Sequence, residues 1–454
     1  MISKLAERKN EHMLHTFLLL AIPTVLEQLL GTVLQYVDTA MVGHLGADAT
    51  AAISLSSTYN WFFNSLVAGI AMGFLSYIAR AIGEKDEYKI RHAAAMALEM
   101  ALAIGAALTL ITQLIAPYVP VWMGAAENIR ETGTWYFRLV FLPMIFRSCM
   151  VVLASVIRST GDTKTPMRIN VFINALNVVL NYLFIYLLGY GAIGAGIATA
   201  LSFVVGGILM VISYLRNPYV KLERQYLPIE PAILKSILNI GIPSMMTSAV
   251  SCFGYIVATS LVSAMSTVVF AAHSIAITAE QIFYIPGYGM QAATSTLIGN
   301  ALGEGDRRKE HSVMGIALGI VMILMLGAGL ILFFGAHFMM TIFTTDAEVI
   351  RIGAGLLRIV ALTEPIFGAS IVLDGIYIGL GRTKIPMVIE IIGRWGIRIV
   401  GAYIMIRRFG GGINEYWYCM IADNIVRALL LGIGVLWIVR HEENHTSDRF
   451  GEGS

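Results

Sequence analysis

Gly161-Asp162-Thr163-Lys164-Thr165-Pro166-Met167 returns 220 residues later as Gly381-Arg382-Thr383-Lys384-Ile385-Pro386-Met387. The same offset carries Ile22-Pro23 onto Ile242-Pro243, Ala51-Ala52 onto Ala271-Ala272 and Gly69 onto Gly289. It also carries Gly83-Glu84-x-Asp86 onto Gly303-Glu304-x-Asp306, Gly133 onto Gly353 and Arg138 onto Arg358. One constant shift joining so many matches implies a duplicated unit. Each copy is filled with long apolar runs. The chain of 454 residues is 57% hydrophobic and only 13% charged, where a soluble chain carries about 25% charged residues.

A helix needs about 20 apolar residues to cross a bilayer. Such runs lie near residues 14–42, 48–78, 93–116, 134–157, 167–188, 192–215, 234–263, 268–299, 311–335, 355–379, 386–406 and 415–439. The predicted fold class is therefore an all-α polytopic membrane protein of about twelve transmembrane helices, in two pseudo-symmetric six-helix lobes. The N-lobe spans 1–215, a polar linker 216–233, the C-lobe 234–440 and a tail 441–454. An even helix count per unit keeps both copies in one orientation, so the axis relating them runs along the membrane normal.

Lys and Arg favour cytoplasmic loops. With the N-terminus inside, the inner loops hold Arg80, Lys85, Lys89 and Arg91; Arg158, Lys164 and Arg168; Arg216, Lys221, Arg224 and Lys235; Arg307, Arg308 and Lys309; and Arg382 and Lys384. The outer loops hold Arg130, Arg351, Arg407 and Arg408. Both termini are expected to be cytoplasmic, in a multi-pass protein of the cell (plasma or inner) membrane. The polar start, Met1 to His12, carries Lys4, Arg8 and Lys9 and lacks a small-residue cleavage site after the first run, which reads as a retained helix.

A net charge of +2 argues against nucleic acid as a partner. Cys149, Cys252 and Cys419 form no disulfide or metal pattern. Gly303-x-Gly305 is not a phosphate loop, because no strand precedes it and the Walker lysine is missing. No nucleophile–base or metal spacing points to an enzyme, and no cofactor is expected beyond a coupling ion.

The first run carries Glu27, Gln28, Gly31, Gln35 and Asp38 within one sector of roughly 100°. A carboxylate at membrane depth costs roughly 3 kcal/mol or more, so it faces the protein interior or a wet cavity. Asp38 is either a functional site or a buried structural hydrogen-bonder. Pro23 frees the carbonyl of Leu19 and permits a kink. The fifth run lines up Asn170, Asn174, Asn177 and Asn181 on one face. Amide oxygens suit a small cation, and asparagine equally glues membrane helices together.

These segments resemble the MATE family of multidrug and toxic compound extrusion transporters, over nearly the whole chain. The resemblance is carried by Pro23 through Val37-Asp38-Thr39-x-Met41-Val42-Gly43-x-Leu45-Gly46. It is carried too by the twin loops Ile82-Gly83-Glu84-Lys85-Asp86 and Leu302-Gly303-Glu304-Gly305-Asp306, and by Arg158-x-x-Gly161-Asp162-Thr163-Lys164-x-Pro166 with its copy. The resemblance implies a twelve-helix antiporter that exports organic cations, drugs and other amphipathic compounds by alternating access, driven by inward Na⁺ or H⁺, and monomeric. It further implies an N-lobe cation site at Asp38, Asn177, Asn181, the Ala195 carbonyl and the Thr199 hydroxyl, with Na⁺ at Asp38. Asn181 departs from the members that carry an acid there, leaving Asp38 the only carboxylate of the set. The C-lobe acids of NorM-like members fall on Ser251 and Phe367 here, so that site cannot be carried over.

Glu280 and Tyr284, in Ala279-Glu280-Gln281-x-x-Tyr284-x-Pro286-Gly287, stand with Glu27, Gln35 and Asn174 as candidates for substrate binding or proton coupling. Arg398 is a possible mate for Glu280 across helices. Glu364 and Asp374 lie on the tenth run. Glu390/Arg394 and Asp423/Arg427 are spaced i,i+4 and read as structural salt bridges. The alternative function is a lipid-linked precursor flippase, which calls for a basic cavity; Arg147, Arg394 and Arg398 are the cations that the sequence offers for one.

Overall fold

The computed structural model describes residues 2–220 and 223–451; Met1, Lys221 and Leu222 of the linker, and 452–454 of the tail, lie outside the described residues. Among the described residues, twelve helical spans follow in order. The first six are α1 (Ile2–Gly43), α2 (Ser57–Glu84, led by Ala47–Ser54), α3 (Glu87–Ile115), α4 (Glu127–Phe141 and Met144–Ser159), α5 (Lys164–Asn181) and α6 (Gly191–Leu215). The second six are α7 (Pro231–Ser263), α8 (Thr267–Glu304), α9 (Arg307–Phe343), α10 (Ala347–Ala361 and Glu364–Gly379), α11 (Lys384–Ile391 through Gly401–Phe409) and α12 (Ile413–Gly451).

Among the described residues nine helices are long and apolar enough to cross a membrane, and eleven when each bent pair counts as one span. The bent pairs are α4, turning 43° near Pro143, and α10, turning 57° near Leu362. The sequence reads each as a single run. The span outside that count, α11, carries Glu390, Arg394 and Arg398 in its middle and winds as a π-helix from Ile392 to Val400. Helix α1 runs through Pro23 as one helix rather than breaking there.

The twin loops explain their own motif. Asp86 caps α3 by accepting from the Lys89 N–H at 3.1 Å, and Asp306 caps α9 by accepting from the Lys309 N–H at 2.9 Å. The turn before each cap needs a left-handed residue, filled by Lys85 (φ 56°) and by Gly305 (φ 69°). Gly161 and Gly381 meet the same demand after α4 and α10.

The N-lobe has one core, with Phe74, Met96, Phe137 and Leu153; the C-lobe has two, one with Val321 and Met325 and one with Leu357 and Trp417. The leading turns of two helices are exchanged between the lobes. Phe17, Leu20 and Ala21 of α1 pack into the first of these C-lobe cores with Met290 and Leu297. Ile233 and Ile237 of α7 pack into the N-lobe core. Glycines allow the crossings. A Cβ on Gly69 would strike the Met245 backbone, and one on Gly289 the Val25 backbone. Nearer the basic loops, Gly83 faces the Asn300 carbonyl and Gly303 the Arg80 carbonyl. All four contacts obey the 220-residue offset, and together they close the lobes against each other on the side of the basic loops.

Candidate functional site

Helices α1, α5 and α6 bring Asp38, Asn177, Asn181 and Thr199 together. The Asn181 Nδ2 donates to the Asp38 carboxylate and, at 3.2 Å, to the Asn177 Oδ1. The Asn177 Nδ2 donates to the Thr199 hydroxyl at 3.4 Å. Asn181 is fully buried, and its Oδ1 has no hydrogen-bond partner. Directly after Asn181 the helix widens into a π-turn, Tyr182–Leu187, a distortion frequent at functional sites. Tyr186 from that turn donates to the Met41 carbonyl at 2.8 Å, tying α5 to the end of α1. Ala195 lies buried one turn before Thr199. Among the described residues no Lys or Arg forms an ion pair with Asp38.

A cavity of about 380 Å³ opens on this group, lined by Gln35, Asp38, Asn174, Asn177 and Thr199. Asn174 gives one amide N–H to the Asn170 carbonyl at 2.9 Å and faces Gly31 across α1. A carboxylate, an unpartnered buried amide oxygen and a hydroxyl are hard oxygens, the donor set for a small cation. The residues present therefore fit a monovalent cation or a proton at Asp38.

Between the lobes lies a second cavity of about 410 Å³. Glu27 sits on its wall, but not as a free acid. Arg158 donates to it at 2.6 Å and Asn170 at 2.5 Å. The sequence reads Arg158 as a loop cation; the end of α4 turns it inward instead. On the facing wall Glu390 accepts from Ser251 and from Arg394 at 3.0 Å, and forms an ion pair with Arg427 at 2.9 Å. The expected Asp423/Arg427 pair is replaced by cross-helix partners: Arg427 also approaches Asp374 at 3.8 Å, and Asp423 pairs with Arg398 at 2.9 Å. Arg398 further donates to Asn424 at 3.0 Å, so its close partners are on α12 and not Glu280. Arg147 lies in the N-lobe, hydrogen-bonded to Asn60 and stacked 4.8 Å from the Phe203 ring.

Tyr284 and Gln35 share a third cavity of about 260 Å³ with Gln28 and Tyr36. Glu280 is buried one turn before Tyr284 and does not line the Asp38 cavity. Ser251 and Phe367 contribute a hydroxyl to Glu390 and a ring packed edge-on to Tyr284. Glu364 is a residue to which sequence reasoning gave no role. It is 1% exposed, and neither carboxylate oxygen has a partner. Its signal was an acid between Thr363 and Pro365 at the turn inside an otherwise apolar run.

The family model MatE matches residues 23–183 and 243–404, one match per lobe. A probable multidrug resistance protein NorM of Thermotoga maritima is 29% identical over 90% of this chain and 89% of its own length. A probable multidrug resistance protein YoeA of Bacillus subtilis is 26% identical over 85% and 86%. Among solved structures, MATE in the bent conformation superposes with a TM-score of 0.89 at 23% identity, covering 97% of this chain and 99% of that one. An outward-facing multidrug resistance MATE transporter also scores 0.89, at 24% identity over 96% and 97%. Two matches at the spacing of the lobes, relatives aligned nearly end to end and a shared fold lead to one assignment: the chain belongs to the MATE family of multi-pass membrane transporters.

Proposed function

We propose that the protein is a cation-coupled antiporter exporting organic cations, drugs and other amphipathic compounds, with Na⁺ or H⁺ held at Asp38. The observation that carries this reading is the Asp38–Asn181–Asn177–Thr199 chain, with its unpartnered Asn181 oxygen beside a polar cavity. Asp38 supplies the charge, and Asn177, Asn181, Thr199 and the Ala195 carbonyl supply neutral oxygens. Occupied, the group ties α1 to α5; emptied, it leaves α1 free to move about Pro23. Each charge moving down a 100 mV potential supplies about 2.3 kcal/mol. The names of the relatives support multidrug export.

The protein works as a monomer in the plasma or inner membrane, its basic loops and both termini cytoplasmic. The glycine crossings favour a state closed toward the cytoplasm. Amphipathic substrates occupy the interlobe cavity against Trp61, Tyr288 and Phe367, with Glu27 on its wall; Gln35 and Asn174 line the Asp38 cavity, and Tyr284 the third cavity. The flippase reading is weaker, because Arg158, Arg394 and Arg427 in that cavity are each engaged by an acid. Dye efflux from proteoliposomes, run under separate Na⁺ and pH gradients, tests the reading. The Asp38→Asn variant is expected to insert and fold yet lose efflux under both gradients. Wild-type efflux from that variant would sink it, and no wild-type efflux under either gradient would favour the flippase.

A further inference from the structure

Glu280 on α8 and Glu364 on α10 are 6% and 1% exposed. Both Glu364 oxygens lack a hydrogen-bond partner. Helices α8 and α10 pack side by side. One turn beyond Glu280 stands Tyr284, and one turn beyond Glu364 stands Phe367. The two rings meet edge to face at 5.3 Å, forming a lid between the acids and the interlobe cavities that Tyr284 and Phe367 line. Glu364 opens the second half of α10 at the 57° break. Opposite it, Gly329 of α9 brings only backbone.

The remaining groups around the pair do not neutralise it. From α11, Arg398 has its guanidinium bound to Asp423 and Asn424 of α12. Tyr416 of α12 is a neutral phenol, and His273 on α8 accepts a hydrogen bond from Trp417 at 3.2 Å. From α1, Tyr36 donates to the Thr278 carbonyl at 3.1 Å. At the twin positions of the N-lobe stand Asn60 and Met144, so the acid pair is a property of the C-lobe alone.

We propose that Glu280 and Glu364 form a proton-binding carboxyl pair in the C-lobe, separate from the Asp38 group, that gives up its proton when the Tyr284–Phe367 lid parts. This deepens the proton-coupling reading of Glu280 and rests on it. Two buried carboxylates, each one turn from the touching Tyr284 and Phe367 rings, cannot both stay ionised in a low dielectric. One of the two therefore keeps its proton while the other is ionised, and the pair titrates as a unit. When water reaches the break in α10, the proton passes from the carboxyl to water, leaving two solvated carboxylates. Reprotonation reverses the step.

Infrared titration of the purified transporter tests this without using transport. The Asp38→Asn protein is compared with the same protein carrying Glu280→Gln and Glu364→Gln. The difference spectrum should show a protonated-carboxyl C=O band at neutral pH that disappears as the pH is raised. Each single Gln variant should replace two steps, separated by more than about one pH unit, by a single step. If the Gln variants lose the monodisperse gel-filtration peak, Glu280→Asp and Glu364→Asp keep both acids, and a moved band is expected. No acid band in the difference spectrum, or a band displaced by Na⁺ and not by pH, would overturn the proposal. Because the readout is made without Asp38, its failure leaves the Asp38 reading standing, and unimpaired efflux by Asp38→Asn leaves this one standing.

Discussion

Phe17 of α1 and Ile237 of α7 are both 0% exposed, each buried in the core of the opposite lobe. Any motion that parts the lobes on the basic-loop side draws both side chains into water. Burying a Phe or Ile side chain fully is worth about 1.5–3 kcal/mol. Cutting each to Ala removes most of that, so each substitution lowers the cost of opening by roughly 1–2 kcal/mol. Every 1.4 kcal/mol is tenfold in population, so Phe17→Ala shifts the ratio of open to closed by about tenfold. Phe17→Ala with Ile237→Ala shifts it by about a hundredfold if the two act independently. Spin labels at Lys85→Cys and Arg308→Cys, with the three native cysteines replaced, report the separation of the basic loops. The expected result is a longer-distance population that grows from single to double variant. A double variant with the wild-type distance distribution would refute the argument that these exchanged turns hold that side shut.

Removing one partner of a buried ion pair costs about 3–5 kcal/mol. Glu27 and Arg158 are 10% and 17% exposed beside a cavity, so Glu27→Gln or Arg158→Met should cost close to 3 kcal/mol in detergent unfolding. The double variant should recover most of it, and a loss equal to the sum of the singles would show no coupling. Lys85 occupies a left-handed turn that its twin fills with Gly305, so Lys85→Gly should stabilise by about 1 kcal/mol, read as a raised unfolding midpoint. The Asp86 carboxyl is held below the usual range, first by the Lys89 backbone N–H. Its contribution is present above the ordinary carboxylate range and lost as the pH falls through the lowered value. Asp86→Ala should flatten that acid limb of the stability profile; an unchanged limb would count against the cap.

The lobes were legible because duplication leaves a constant offset in the sequence, and lipid demands long apolar runs. Helix α11 shows where the second signal weakens: three charges in its middle hide a span that the repeat still locates through Lys384-Ile385-Pro386. Asp38, Asn177, Asn181 and Thr199 could be grouped because helix periodicity sets their faces and family resemblance ties the helices together. The partners of charged residues could not be read. Arg158 meets Glu27 from 131 residues away, and Arg427 bypasses its i,i+4 neighbour for Glu390. Which cation reaches which acid depends on helix rotation and on the bends in α4 and α10, and a one-dimensional pattern does not encode either.

The exchanged turns of α1 and α7 and the paired glycine crossings also speak to how such a molecule arose. Each contact occurs twice, residue against twin, which is the arrangement an isologous dimer builds. Two identical six-helix chains would satisfy this interface with a single set of side chains. Joining them through residues 216–233 removed the need for sameness. Asp38 now stands where its twin is Ala258, Glu280 where its twin is Asn60, and Arg147 where its twin is Phe367. The seam kept its ancestral symmetry while the ionisable groups on either side diverged, so the two halves of one chain inherited different tasks.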